Sequence, residues 1–259
     1  MSQCDKMWKI SIVLLLLFWL SVPAAAQDDA AQANNPLANF KAFNVQNYYI
    51  PSLSGGVEGS ANTFWFRYAQ PLGKFLLRAS LPVSRVPTGP DQHQSGLGDF
   101  NIFAAYQIPT GSPARSLGIG PLLAAPTATE STLGSGKWQA GVSGVYFDAS
   151  SSTVQWGGLL TWQTDFAGNS NRDDTNFLAV QPFMFVQLGN GLYMRGAPVW
   201  AFNLESHSYH VPVGFGIGKI IKSGNVVYNF FIEPQFTVLD RGSGQPEIQF
   251  YMALNMQFK

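Results

Sequence analysis

The feature that most constrains this chain is its final stretch, Ile248-Gln-Phe-Tyr-Met-Ala-Leu-Asn-Met-Gln-Phe258. Ile248, Phe250, Met252, Leu254, Met256 and Phe258 alternate with Gln249, Tyr251, Ala253, Asn255 and Gln257. Successive side chains of a strand point to opposite faces, so this segment carries one apolar face and one mostly polar face. It is about as long as the roughly 9–11 residues a tilted strand needs to cross a bilayer. A strand with one face fit for lipid needs a partner on each edge, and only a closed barrel supplies that in a membrane.

The N-terminus reads as an export signal. Lys6 and Lys9 supply the positive region, Ile10 to Leu20 the apolar run, and Ala24-Ala25-Ala26 a small-residue cleavage site, which puts residues 1–26 in the signal. Cys4 is the single cysteine and lies within it, so the expected mature chain has no disulfide, thiolate metal site or cysteine nucleophile. Removing Lys6, Lys9 and Asp5 from 15 basic and 15 acidic residues leaves 13 and 14, a net charge near −1. No basic patch exists to neutralise phosphates, so nucleic acid is not an expected partner. Charged residues make up only 12% of the chain, about half the usual share of roughly 25% for soluble domains. No later apolar run is long enough for a spanning helix.

Residues 27–39 are polar and aperiodic, and read as a flexible periplasmic segment or a lumen plug. From residue 40 onward, alternating segments recur between turn signals. Strands are expected near 40–50, 62–70, 74–84, 97–108, 115–126, 137–148, 153–164, 175–188, 192–203, 208–220, 226–239 and 247–258. The predicted fold is thus all-β: an antiparallel transmembrane β-barrel of about twelve strands over residues 40–259, in the bacterial outer membrane. Short connections such as Pro71-Leu72-Gly73 and Gly189-Asn190-Gly191 alternate with long ones such as 85–96 and 127–136. An even strand number then puts both termini at the short-turn, periplasmic end. Outer-membrane lipids are one expected partner. The barrel-assembly machinery is another, through the last strand ending at Phe258, although Lys259 follows where such barrels usually end on the aromatic.

Strand parity sorts the side chains. Val154, Trp156, Leu160 and Trp162 face lipid, as do Tyr228, Phe230, Ile232, Phe236 and Val238. Gln155, Asn229, Gln235 and His210 face inward. Five charges fall inside strands on the inward parity: Arg67, Arg78, Asp99, Arg195 and Glu233. On the lipid face a midplane Arg would cost about 2–4 kcal/mol. Inside they are read as one lumen set, serving either as a scaffold of ion pairs or as a selectivity ring.

No catalytic site is expected, and neither metal nor cofactor. His93, His207 and His210 are the only histidines, and His207 and His210 fall on opposite faces of an extended strand. His210 with Ser143 is the one conceivable nucleophile pair, and no motif supports it. Gly214-Phe-Gly-Ile-Gly218 puts its glycines on one strand face with no helix after them. They keep an inner face small or let the strand bend, and they do not cradle phosphate.

Several stretches, taken together and in order, resemble the outer-membrane proteins of the MetA-pathway phenol-degradation family. They are Asn35-Pro-Leu-Ala-Asn39, Ser95-Gly-Leu-Gly-Asp99, Gly120-Pro-Leu-Leu-Ala-Ala-Pro-Thr-Ala-Thr129, Leu133-Gly-Ser-Gly-Lys-Trp-Gln139, Val180-Gln-Pro-Phe183 and Val211-Pro-Val-Gly-Phe-Gly-Ile-Gly-Lys219. The resemblance implies an outer-membrane channel or transporter for small apolar or aromatic compounds. A closed barrel with a structural or surface-interaction role is the alternative.

Overall fold

A computed structural model describes residues 32–259; the expected signal, residues 1–26, and the start of the 27–39 segment lie outside them. Fifteen strand segments form one antiparallel sheet. They are β1 (Lys41–Leu53), β2 (Ala61–Leu72), β3 (Phe75–Gly89), β4 (Gln92–Leu97), β5 (Phe100–Ile108), β6 (Arg115–Ala125), β7 (Lys137–Asp148) and β8 (Val154–Gly168). The rest are β9 (Asn176–Gly189), β10 (Leu192–Gly196), β11 (Trp200–Asn203), β12 (Ser208–Gly214), β13 (Gly216–Ser223), β14 (Val226–Arg241) and β15 (Pro246–Phe258). β4 with β5, β10 with β11, and β12 with β13 are interrupted halves of single staves, so the wall has twelve staves. β1 pairs with β15 from Lys41↔Phe258 to Leu53↔Pro246, which closes the barrel and leaves no free edge. None of the described helices is long and apolar enough to cross a membrane.

The interruptions have one chemical cause. Proline has no N–H to give a neighbouring strand. Phe215 separates β12 from β13 and lies opposite Pro234; its own N–H still reaches the Pro234 carbonyl at 3.2 Å, but no bond returns. The break between β4 and β5 sits beside Pro82, where Gly98 N–H donates to the Pro82 carbonyl at 2.9 Å. In the third break, Gly196 pairs with Met184 and Trp200 with Val180. The same offset puts Pro198 opposite Pro182, so one rung lacks both donors.

The strand spans follow the alternating pattern closely, with one correction. The expected loop over 85–96 is a hairpin: β3 continues to Gly89 and β4 returns from Gln92, turning through Pro90 and Asp91, where Asp91 takes φ 56°. Its prolines and glycine read as breakers, yet at a barrel rim a proline costs little because one side of the ladder is unpaired.

Parity decides what the wall shows to each side. Phe64, Phe66, Ile119, Leu123, Trp156, Leu160, Phe230, Ile232 and Phe236 are all exposed on the outside. Such a belt on a closed barrel is the lipid-facing band. Gln155, Glu233 and Gln235 are fully buried inside, as are Tyr193 and Ser143.

Candidate binding site in the barrel interior

The interior is built from the inward residues of opposite walls, and its lower end is filled by the chain's own N-terminal segment. Ala33, Asn34, Asn35, Leu37 and Ala38 are buried. Asn229 Nδ2 donates to Asn34 Oδ1 at 3.0 Å and to the Ala33 carbonyl at 3.4 Å, and Gln257 Nε2 donates to the same carbonyl at 3.3 Å. Asn35 Nδ2 reaches Ser116 Oγ at 3.0 Å, and Gln107 Nε2 the Leu37 carbonyl at 3.4 Å. Gly118 faces Leu37, whose methyls lie 3.1 Å from where a Cβ would stand. All these partners lie at the short-turn end.

Above this segment three cavities follow one another and share walls. The lowest, about 140 Å³, lies between residues 33–38 and the guanidinium groups of Arg67, Arg78 and Arg195. The middle one, about 230 Å³, is lined by Tyr48, Trp65, Arg67, Arg78, Phe103 and Phe177, with polar Ser80, Asn101, Thr161, Gln163 and Gln181 between them. The outer one, about 530 Å³, shares Tyr48, Trp65 and Phe177 and reaches Asp99 and Gln249 near the long loops.

The five inward charges do not form one network. Arg195 Nε donates to Glu233 Oε2 at 2.6 Å, and both side chains are buried. Glu233 Oε1 takes two more bonds, from Ala197 N at 3.0 Å and Gln235 Nε2 at 2.7 Å. Gln249 Nε2 then donates to Gln235 Oε1 at 2.5 Å. The Arg195 guanidinium lies 3.4 Å from the Phe231 ring centroid, with Tyr251 and Phe185 next to it. Glycines make the room: a Cβ on Gly214 would stand 2.6 Å from Glu233 Oε1, and one on Gly218 2.2 Å from the Tyr193 ring. The Gly214–Gly218 run therefore shapes this cluster.

Asp99 stands apart at the outer end. It accepts from Ala128 N at 3.1 Å, from Ser135 N at 2.7 Å and from Ser135 Oγ at 2.9 Å, tying the 126–136 loop to the wall. It corrects the single-set reading: its carboxylate is committed to a loop and pairs with no lumen arginine.

Arg67 and Arg78 are different again. Arg67 Cζ lies 4.9 Å from the Trp65 ring centroid and Arg78 Cζ 4.5 Å from that of Phe103. Among the described residues neither has a carboxylate partner, and the buried Nε of each has no hydrogen-bond partner. In the β2–β3 register Arg67 pairs with Ser80 and Arg78 with Ala69, which makes the two arginines diagonal neighbours on one face.

No protein-family model and no curated protein sequence matches the chain. Among solved structures it is similar to a COG4313 outer membrane channel from Pseudomonas putida F1, with a TM-score of 0.59 at 14% identity, over 86% of this chain and 97% of that one. It is also similar to the NanC porin, with a TM-score of 0.53 at 9% identity, over 84% and 99%. The fold is that of a bacterial outer-membrane β-barrel.

That likeness fixes architecture and says nothing of chemistry, which rests on this chain's own residues. Ser143 Oγ donates to the Gly120 carbonyl at 3.3 Å, while His210 Nε2 bonds Thr237 Oγ1 at 2.8 Å. The two are engaged elsewhere and form no nucleophile–base pair. Among the described residues no cluster of His, Asp or Glu is arranged to hold a metal ion. The sequence reading missed the lumen aromatics Tyr48, Trp65, Phe103 and Phe177. A usable signal existed for three of them, since Trp65 shares the parity of Arg67, Phe103 that of Asn101, and Phe177 that of Gln181.

Proposed function

We propose that this protein is an outer-membrane channel for small aromatic compounds, gated at its periplasmic end by residues 32–40. The carrying observation is the run of three cavities that share walls, the largest near the long loops, the middle one aromatic-walled, and the lowest bordered by the docked segment. Ligand sites typically combine apolar and aromatic walls with a few placed polar groups, and the middle cavity has that make-up. The resemblance of Ser95–Asp99, Gly120–Thr129 and Val211–Lys219 to the MetA-pathway family supports the same substrate class. In this reading residues 1–26 direct export across the inner membrane, and the strand ending at Phe258 is what the barrel-assembly machinery receives.

Among the described residues the segment is held mainly by neutral side-chain hydrogen bonds, with one cation–π contact from Lys259 to the Phe40 ring at 5.1 Å. Each such bond contributes only about 0.5–1.5 kcal/mol net, so its release lies within reach of thermal opening or of a periplasmic trigger. The test is planar-bilayer conductance together with uptake of benzyl alcohol into vesicles. The intact mature chain passes the solute slowly, and deletion of residues 32–38 raises both conductance and uptake several-fold while heat-modifiable gel migration persists. A deleted, folded barrel that still admits nothing would establish instead the closed, structural barrel.

A further inference from the structure

Resting on the channel reading, we infer that the middle cavity binds an aromatic carboxylate, with its ring between Tyr48, Trp65, Phe103 and Phe177 and its carboxylate on Arg67 and Arg78. Three observations carry this.

The first is the state of the two arginines. Rings lie against both guanidinium groups. A ring beneath the plane attracts the charge but takes none of the five N–H donors, which lie within that plane. Those donors are the part of an arginine that grips a carboxylate in fork-to-fork fashion. No carboxylate among the described residues meets them.

The second is charge balance. Arg67, Arg78 and Arg195 border the lower cavity, and the only carboxylate among these inward groups at that level is Glu233, already committed to Arg195. Two positive charges are left side by side on adjacent strands. Like charges on neighbouring strands repel when close, and each half-buried guanidinium, with its Nε out of reach of water, lacks a counter-charge among the described residues. A ligand carrying one negative charge relieves both terms at once, whereas a neutral ring relieves neither. Aromatic carboxylic acids are ionised near neutral pH, as ordinary carboxyl groups are.

The third is size. The cavity has about 230 Å³. An apolar cavity of about 150 Å³ holds one benzene molecule, which leaves room here for a ring and its carboxylate. Ser80, Asn101 and Gln163 line the same cavity and offer hydrogen bonds to ring hydroxyls.

Isothermal titration of the detergent-solubilised mature chain tests the assignment, with benzoate, benzyl alcohol and acetate as probes. Benzoate is expected to bind one per barrel, and about tenfold or more tighter than either of the others, because each probe lacks one half of the recognition. Arg67→Gln and Arg78→Gln should each weaken benzoate by about tenfold and leave benzyl alcohol unchanged. Benzoate binding no tighter than benzyl alcohol would overturn the role of the arginines, and acetate binding as tightly as benzoate would overturn the role of the aromatic walls. The wild-type comparison depends on no variant, so a misfolded substitution cannot obscure it. Conductance without benzoate binding would sink this assignment and leave the channel; benzoate binding without conductance would do the reverse.

Discussion

Two sides of one lumen treat an inward-facing arginine in opposite ways. On the wall of β10 to β15, Arg195 meets Glu233 Oε2, and the other oxygen of that carboxylate accepts from Ala197 N and Gln235 Nε2. On the wall of β2, β3 and β5, Arg67 and Arg78 lie against rings and meet no carboxylate among the described residues. The same residue type at the same parity is therefore scaffold on one side and an unfilled demand on the other. The difference lies in what faces it. Glycines at 214, 216 and 218 let a carboxylate and a tyrosine press into the first wall, while aromatic side chains line the cavity at the second.

Substitutions can break this contrast, and the largest effect belongs to the saturated side. Glu233→Ala strips Arg195 of its partner and should cost about 3–5 kcal/mol, less where water reaches the guanidinium. The urea midpoint of the vesicle-embedded barrel measures it, and an unchanged midpoint would mean that the pair is ornamental. Next comes the outer face of the same stave. Ile232→Arg puts a charge into the lipid band and should cost about 2–4 kcal/mol if the position lies near the midplane; the interior ion pair and any benzoate affinity should be unaffected. Asn229→Ala removes the acceptor for Tyr193 Oη at 2.6 Å and the donor to Asn34. It should cost about 1–3 kcal/mol and raise basal conductance by loosening the N-terminal segment. The smallest effect is expected at the open side, where Arg78→Gln should move the midpoint by less than about 0.5 kcal/mol or stabilise the barrel. If Arg78→Gln were as damaging as Glu233→Ala, the two sides would be energetically alike and the contrast would fall.

Much of this architecture was legible because one periodicity governs it. A period of two fixes both that Gln155 and Glu233 go in and that Trp156 and Ile232 go out, and a slip of one residue would invert every such pair. The alternation of short and long connections, with 204–207 as its one exception, was an independent check on the count of twelve. The breaks within staves were not read, although Pro82, Pro182, Pro198 and Pro234 announce them, because a broken rung is a property of two strands and a single strand's pattern does not show its neighbour. The same limit explains the site. Parity placed Arg67, Arg78, Arg195 and Glu233 in the lumen, but which arginine finds the carboxylate depends on offsets between staves. Arg195 reaches Glu233 across β13, where Gly216 pairs with Arg195 and stands beside the Glu233 backbone. Asp99 has the right parity and the wrong height, and the loop serine that takes it lies 36 residues away in sequence.

The facing prolines of β9 and the β10–β11 stave bear on how the barrel finds its alignment. Pro182 and Pro198 share one rung, so together they remove it once. A slide of two residues is the smallest error that keeps each side chain on its own face. It would separate the prolines and spoil two rungs in place of one, and it would also carry Ala197 away from the Glu233 oxygen it now serves. The imperfection in the wall thus acts as a key, legible to the folding chain before any solute arrives, that marks one pairing of these staves as correct.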